Sequence, residues 1–270
     1  MKLTKILLAG ALSASSLLGH GLWINAFEAS SHGSKLVTVG LGTGHNPTIE
    51  DSISDRLSLK SFDLITQDGK KIALKKPAKG LEDIYDKNNL KIVDSNLAMQ
   101  KVSFGKKSDK GTYSVALATN PNTFIKYIDT KGEEKFSRKA KSEIRNLKEI
   151  ISTTKGTTFA KTYFVNQEWT QPKAVGHTLE LIPTTDISKL AVGDTVVFDV
   201  LYDGKALKSG SVTAKSALAK NENALYSSVR KGKAKFVLTH KGQWMFTIND
   251  KQVKGEITHS NTASATINIQ

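Results

Sequence analysis

An Asp-Gly pair between two runs rich in Val, Leu and Ala constrains the fold of this chain more than any other feature. Asp203-Gly204 follows the run Thr195–Tyr202 and precedes the run Ala206–Ala214. This dipeptide between alternating segments is the strongest short-range signal for a β-hairpin, because the tight turn needs positive φ angles. The same signal recurs at Asp68-Gly69. The chain is therefore predicted to be built from short antiparallel strands.

Short apolar runs separated by Gly, Asn and Lys turns continue along most of the sequence, which favours a sandwich over βαβ units. We predict a mainly β protein with two β-sandwich domains and one connecting amphipathic helix. The N-terminal sandwich is predicted over residues 20–130, and the helix and a linker over 131–174. An immunoglobulin-like or transthyretin-like sandwich is predicted over 175–270, with Trp244 and Phe246 in its core.

The helix is predicted within Glu133–Ile151, where apolar residues recur at the spacing 4-4-3-4: Phe136, Ala140, Ile144, Leu147 and Ile151. Lysines and arginines occupy the opposite face of this stripe. We expect a solvated helix that covers one end of a sheet, and the alternative is contact with an anionic surface. The polar segment Ser152–Gly156 is predicted to be the linker.

The first residues have the features of a secretory signal peptide. Two lysines precede an apolar stretch, Ile6–Leu18, which is too short and too rich in Ser to span a membrane. Cleavage after Gly19 would remove residues 1–19 and start the mature chain at His20. Cleavage after Ser16 fits the small-residue pattern as well, and the metal chelate that His20 would create favours the first position. We expect an exported protein.

Composition narrows the chemistry and the partners. The sequence has no cysteine, so disulfides, thiolate metal sites and thiol nucleophiles are excluded. Its formal net charge is +14, and loss of the two lysines in the signal leaves +12. Such a charge attracts anionic lipid or polysaccharide. Nucleic acid is not expected as a partner, because the chain is exported and no aromatic run for base stacking lies among the lysines.

A histidine at a free N-terminus is a ready-made metal chelate. In a mature chain that starts at His20, the α-amine and the imidazole Nδ1 would bind one metal ion together. Their ordinary pKa values, roughly 7.7–8.0 and about 6.5, let both groups lose a proton near neutral pH. The six histidines contain no pair at zincin spacing and no His-x-His strand pair, so the fold must assemble any further ligands.

Seven short motifs follow one another in a fixed order along the mature chain. They are His20-Gly21-Leu22-Trp23, Gly44-His45-Asn46-Pro47, Phe136–Lys141, Val175–Pro183, Gly193-Asp194, Tyr202–Lys205 and Gly242–Trp244. In this order they resemble a family of exported proteins that are periplasmic components of cobalt or nickel uptake systems and carry a domain of undefined function. The chain departs from that family at Gly21 and at Asn25-Ala26, which weakens the case for an acidic ligand beside Trp23.

The resemblance implies a periplasmic protein that binds a divalent transition metal ion and assists its uptake by a membrane transporter. His20 and His45 are the predicted ligands, because both fall where the family has histidine. Their nitrogens suit Ni(II) or Cu(II) in square-planar geometry, and the family points to nickel or cobalt. The fourth ligand is left open among water and the side chains of His32, Glu28, Glu50 and Asp51.

Other interpretations give this chain a different role. One alternative is a non-catalytic β-sandwich module that holds anionic surfaces, and the other is a copper oxygenase with a brace of His20 and His45. We predict no enzyme activity, because the sequence has no nucleophile elbow, phosphate loop or dinucleotide fingerprint. His177, near Glu180, is expected to be structural and to donate to a backbone carbonyl. Trp23 is expected to be a packing anchor that shields the metal.

Overall fold

The computed structural model shows a protein made almost entirely of β-strands. It describes residues 21–31, 34–48, 53–54, 56–78, 83–87, 90–93, 97–219 and 224–269. Within these ranges the only helical element is a single 3₁₀ turn, Lys141–Glu143. The same ranges contain no helix with the length and apolar character needed to cross a bilayer. The predicted signal peptide lies outside the described residues.

Ten strands form one large sheet. In chain order they are β3 Leu59–Ile65, β4 Lys71–Ala73, β8 Gly111–Thr119, β9 Asn122–Asp129, β10 Glu134–Ser137, β11 Leu147–Asn166, β15 Ser211–Ser216, β16 Leu225–Ser228, β18 Gly242–Lys254 and β19 Ile257–Ile269. The spatial order is β16-β15-β18-β19-β11-β8-β3-β4, and β9 pairs with both β10 and β11. The β11 and β19 strands run parallel, whereas their other neighbours are antiparallel.

Three smaller sheets complete the described part of the chain. The first contains β1 Gly21–Ser31, β2 Ser34–Gly44 and β7 Gln100–Phe104. The second contains β12 Leu179–Pro183, β13 Thr195–Tyr202, β14 Lys205–Ala206 and β17 Lys233–Val237. The third pairs β5 Asp83–Lys87 with β6 Leu90–Val93. The predicted hairpin at Asp203-Gly204 joins β13 to β14, and both turn residues have positive φ angles of 46° and 73°.

The long strand β11 separates two hydrophobic cores. Its Phe159 and Tyr163 belong to a cluster with β12, β13, β18 and β19, whereas Ala160 and Phe164 belong to a cluster with β1, β2, β3 and β8. Successive side chains of a strand point to opposite faces, so one strand serves both cores. Trp244 and Phe246 are buried in the first cluster. The division into two sandwich domains stays a prediction.

The predicted amphipathic helix within Glu133–Ile151 is wrong. The segment forms β10, the 3₁₀ turn and the start of β11, and Phe136 and Ile151 are about half exposed. The proposed helix would place Arg138, Lys141, Arg145 and Lys148 three or four residues apart on one face, where like charges repel. Pairing with β9 satisfies the backbone groups of β10 and β11 instead. The predicted linker Ser152–Gly156 lies inside β11.

Candidate functional site

The turn that carries His45 begins where β2 ends. Gly44 has a φ of 139°, and His45, exposed, follows it directly. The turn is attached to the large sheet by Lys215, whose Nζ lies 3.0 Å from the carbonyl oxygen of His45 and 3.3 Å from Asn46 Oδ1. These contacts fix the backbone of His45 and of its neighbour Asn46.

The register of β1 against β2 sets what lies beside this turn. The two strands pair antiparallel along their whole length, with Gly21 opposite Gly44 and Ser31 opposite Ser34. The chain therefore enters β1 at the end of the pair where His45 leaves β2. His20, His32, Glu50 and Asp51, the other predicted ligands of the sequence, lie outside the described residues.

The candidate ligand Glu28 is not brought to His45. It lies seven positions along β1 from Gly21, which is roughly 24 Å at the rise of an antiparallel strand. Its carboxylate forms an ion pair of 2.5 Å with Lys35. Glu28 is therefore excluded as the fourth ligand. Over the part of the chain that the structure describes, no cluster of three or more His, Asp or Glu side chains is arranged to hold a metal ion.

Trp23 anchors the first strand of the site. Its side chain is fully buried, and its indole lies directly against Gly42, its cross-strand partner. A Cβ atom on Gly42 would lie 2.2 Å from Trp23 Nε1, so only glycine leaves room for the ring. The indole Nε1 has no hydrogen-bond partner among the described residues. The burial fits the predicted role of a packing anchor.

Polar side chains of the large sheet hold β1 in place next to Trp23. Ser264 Oγ donates to the carbonyl oxygen of Leu22 at 2.9 Å, and Thr266 Oγ1 donates to that of Ile24. Gln243 Nε2 donates to the side-chain oxygen of Asn25. Because β1 is fixed on one side by these bonds and on the other by β2, the position at which the chain enters the site is well defined.

A second cluster of titratable groups lies inside the protein, and the sequence analysis identified it only in part. Lys161 of β11 and Glu180 of β12 are buried and form an ion pair. Glu180 also accepts three backbone N–H groups, from Val175 at 3.1 Å and from Gly176 and His177 at 2.9 Å. We call Lys161, Glu180 and His177 the buried cluster.

Burial is the largest single influence on the pKa of each group in this cluster. It lowers the pKa of the Lys161 ammonium below 10.5, because the charged form loses its hydration. Burial alone would raise the pKa of Glu180, but the charge and hydrogen bond of Lys161 and the Val175 amide bring it below 4.5. Burial, followed by the charge of Lys161, lowers the pKa of His177 to about 4. His177 is therefore neutral at pH 7.

The bonding of Glu180 decides what the buried cluster can do. An ionised carboxylate offers about four lone-pair positions, and Lys161 and the three amides use all of them. No position remains for a metal ion or a substrate, so the cluster fixes the turn before β12 to β11. His177 Nδ1 is buried without a hydrogen-bond partner in the described chain and packs 4.9 Å from Phe159, ring to ring.

The sequence does carry a signal for this pair. Lys161 interrupts the apolar run Phe159–Val165, and Glu180 interrupts Leu179–Ile182 in the same way. A lone charge on the buried face of a strand requires a partner, and the nearest run with an opposite charge supplies one. A search for such charges would have returned Lys161 and Glu180 together with other candidates, such as Asp199 within Thr195–Tyr202.

One comparison with known proteins gives a match, and it places the chain in a family. The family model described as "Domain of unknown function (DUF4198)" matches residues 17–252, whereas the search of curated proteins finds no match. The match confirms the resemblance to a domain family of undefined function, and the association with nickel or cobalt stays a prediction. Because the matched region covers well over half of the chain, this protein belongs to the DUF4198 family.

Proposed function

We propose that this protein is an exported, non-enzymatic carrier of a divalent transition metal ion, which it binds at its mature N-terminus and passes to a membrane transporter. The α-amine and imidazole of His20 and the imidazole of His45 are the proposed ligands. The observation that carries the proposal is the register of β1 and β2, which pairs Gly21 with Gly44.

The register supports the proposal through covalent geometry. His20 is bonded to Gly21, and His45 is bonded to Gly44. Consecutive Cα atoms are about 3.8 Å apart, and paired Cα atoms of antiparallel strands are about 4.5–5.5 Å apart. By covalent geometry alone, the Cα atoms of His20 and His45 are at most about 13 Å apart. A shorter separation within this limit would let one metal ion bind the α-amine and Nδ1 of His20 together with the His45 imidazole.

Of the predicted ligands in the described part of the chain, His45 lies at this turn, whereas Glu28 lies at the far end of β1. Affinity for a dication would rest on the strength of the metal–nitrogen bonds. Nitrogen ligands follow the order Co(II), Ni(II), Cu(II) in rising affinity, so copper would bind most tightly in vitro and the physiological metal would depend on supply.

The position of the proposed site also agrees with the proposed domain division. We place the metal in the first sandwich, residues 20–130, whose core contains Ile24, Val37 and Leu41 from β1 and β2. The second sandwich, residues 175–270, contributes Lys215 to the turn that bears His45. A site at this position would have its metal near the surface, where a transporter could receive it.

Calorimetric titration of Ni(II) into mature protein tests the proposal, after intact mass has confirmed that the chain starts at His20. We expect one-to-one binding that is abolished when one extra residue precedes His20, because the α-amine is then an amide. The variant His45→Ala should weaken binding. The control His240→Ala should leave binding unchanged, since His240 contacts Thr239 and Trp244 in another part of the fold. Equal binding with and without the extra residue would refute the terminal chelate.

A further inference from the structure

A groove with a volume of about 1080 Å³ lies beside β9 and the first half of β11. Its walls come from these strands, from the segment that follows β10, and from the turn between β18 and β19. Among the described residues, neither His45 nor Lys215 lines it. The groove is therefore separate from the described part of the proposed metal site.

Part of the groove surface is aliphatic. Ile125 is 3% exposed, Ile150 and Ile257 are half-buried, and Ile151 is 43% exposed. Within the described ranges, no aromatic side chain lines this groove. Contact with an apolar surface stabilises an alkyl chain roughly in proportion to the area that is covered.

Three cations line the same groove. They are Arg138, Lys141 and Lys148, and none of them has an ion-pair partner among the described residues. The neighbouring lysines differ, since Lys126 pairs with Glu134 and Lys135 with Glu133, each at 2.6 Å.

Two further contacts define the charge of the groove. Arg138 is held over the ring of Phe124, with its guanidinium carbon 5.0 Å from the ring centroid. Two carboxylates, Glu149 and Glu256, also line the groove, and the three cations outnumber them. The lining therefore keeps a net positive charge beside an aliphatic surface.

We propose that this groove binds an anionic lipid, with one acyl chain on the isoleucine surface and the headgroup at Arg138, Lys141 and Lys148. The combination of an apolar surface with three cations matches the two ends of such a molecule. The volume of the groove is comparable to that of clefts that bind small molecules.

The experiment is a calorimetric titration with lysophosphatidylglycerol of short chain length, kept below its micelle concentration. We expect saturable one-to-one binding. Lysophosphatidylcholine of the same chain length should bind more weakly, because its headgroup has no net charge. Glycerol phosphate should also bind more weakly, because it has no chain to cover the isoleucines. Equal binding of glycerol phosphate and lysophosphatidylglycerol would overturn the lipid assignment, and so would tighter binding of a peptide of alternating Glu and Leu.

Two charge variants locate the site. The double variant Arg138→Gln/Lys148→Gln should bind lysophosphatidylglycerol about thirtyfold more weakly, from the typical contribution of two basic residues at an anionic lipid surface. Lys205→Gln/Lys208→Gln removes the same charge from exposed residues of another region and should bind as the parent does. An equal loss of affinity in both double variants would show that binding depends only on the net charge of the protein, and would refute the groove as the binding site. Thermal unfolding of each variant checks that it is folded.

Discussion

The buried cluster leads to a quantitative prediction for Glu180→Gln. The substitution keeps the shape of the side chain but replaces one carboxylate oxygen by an NH₂ group. Each carboxylate oxygen accepts from two donors: Oε1 from the amides of Gly176 and His177, and Oε2 from Lys161 and the amide of Val175. The new NH₂ group would face two donors in either orientation, and the Lys161 ammonium would lose its counter-ion.

The cost follows from the burial of both partners. The side chains of Lys161 and Glu180 are 3% and 0% exposed. Removing one partner of a buried ion pair typically costs about 3–5 kcal/mol, because the remaining charge is left without compensation. For a chain of this size, that loss lowers the thermal midpoint by roughly 6–20 °C.

Urea unfolding followed by circular dichroism measures this loss. The surface pair Lys233–Asp199, at 2.6 Å and about half exposed, supplies the control: Asp199→Asn should cost less than about 1 kcal/mol. In the double variant Lys161→Met/Glu180→Gln neither residue of the pair is charged. Its loss of unfolding free energy should therefore be smaller than the sum of the losses in the two single variants. If Glu180→Gln costs no more than Asp199→Asn, the buried pair does not stabilise the fold as described.

The remaining predictions concern Trp23 and His177. Gly42→Ala should lower the free energy of unfolding by about 1–3 kcal/mol, because the new Cβ would overlap the buried Trp23 indole. The control Gly105→Ala should be close to neutral, because no atom lies within 4 Å of its new Cβ. Equal urea midpoints for the two variants would contradict this packing. His177 takes up a proton near pH 6.5 in the unfolded chain but only near pH 4 in the folded protein. As the pH is lowered from 6.5 to 4, the free energy of unfolding should therefore decrease by roughly 3 kcal/mol. His177→Gln should remove that part of the slope in acid titrations of stability, and an unchanged slope would show that His177 is not the group that titrates.

The sequence predicted the mainly β class and those strands that carry a clear local signal. The strand β13 begins and ends at the predicted residues Thr195 and Tyr202. Turn chemistry fixes such boundaries from two or three residues, as at Asp203-Gly204. The burial of Trp244 and Phe246 was likewise predicted correctly.

The pairing between distant strands was not predictable in the same way. The apolar spacing from Phe136 to Ile151 fits a helix, but the backbone of this segment pairs with β9. Periodicity within one segment carries no information about its pairing with another. The parallel pairing of β11 with β19 joins residues about a hundred positions apart. Strand β1 was missed because Gly21–Ser31 lacks clear alternation, and its place depends on side chains of β18 and β19.

The candidate site was predicted from chemistry, and of its two main ligands the structure describes only His45. Sequence alone proposed His20 with His45, and the structure pairs Gly21 with Gly44, the neighbours of these two residues in the chain. The same register excludes Glu28. The choice among His32, Glu50, Asp51 and water stays open, since the three residues lie outside the described ranges.

Electron paramagnetic resonance of the Cu(II)-loaded mature protein tests the central claim most directly, because nitrogen hyperfine splitting reports how many nitrogens bind the metal. A chelate of the His20 amine, the His20 imidazole and the His45 imidazole predicts three equatorial nitrogens in the parent and two in His45→Ala. An identical nitrogen count in the parent and in His45→Ala would contradict the account, since the metal would then bind without the histidine that the β1–β2 register brings to the N-terminus.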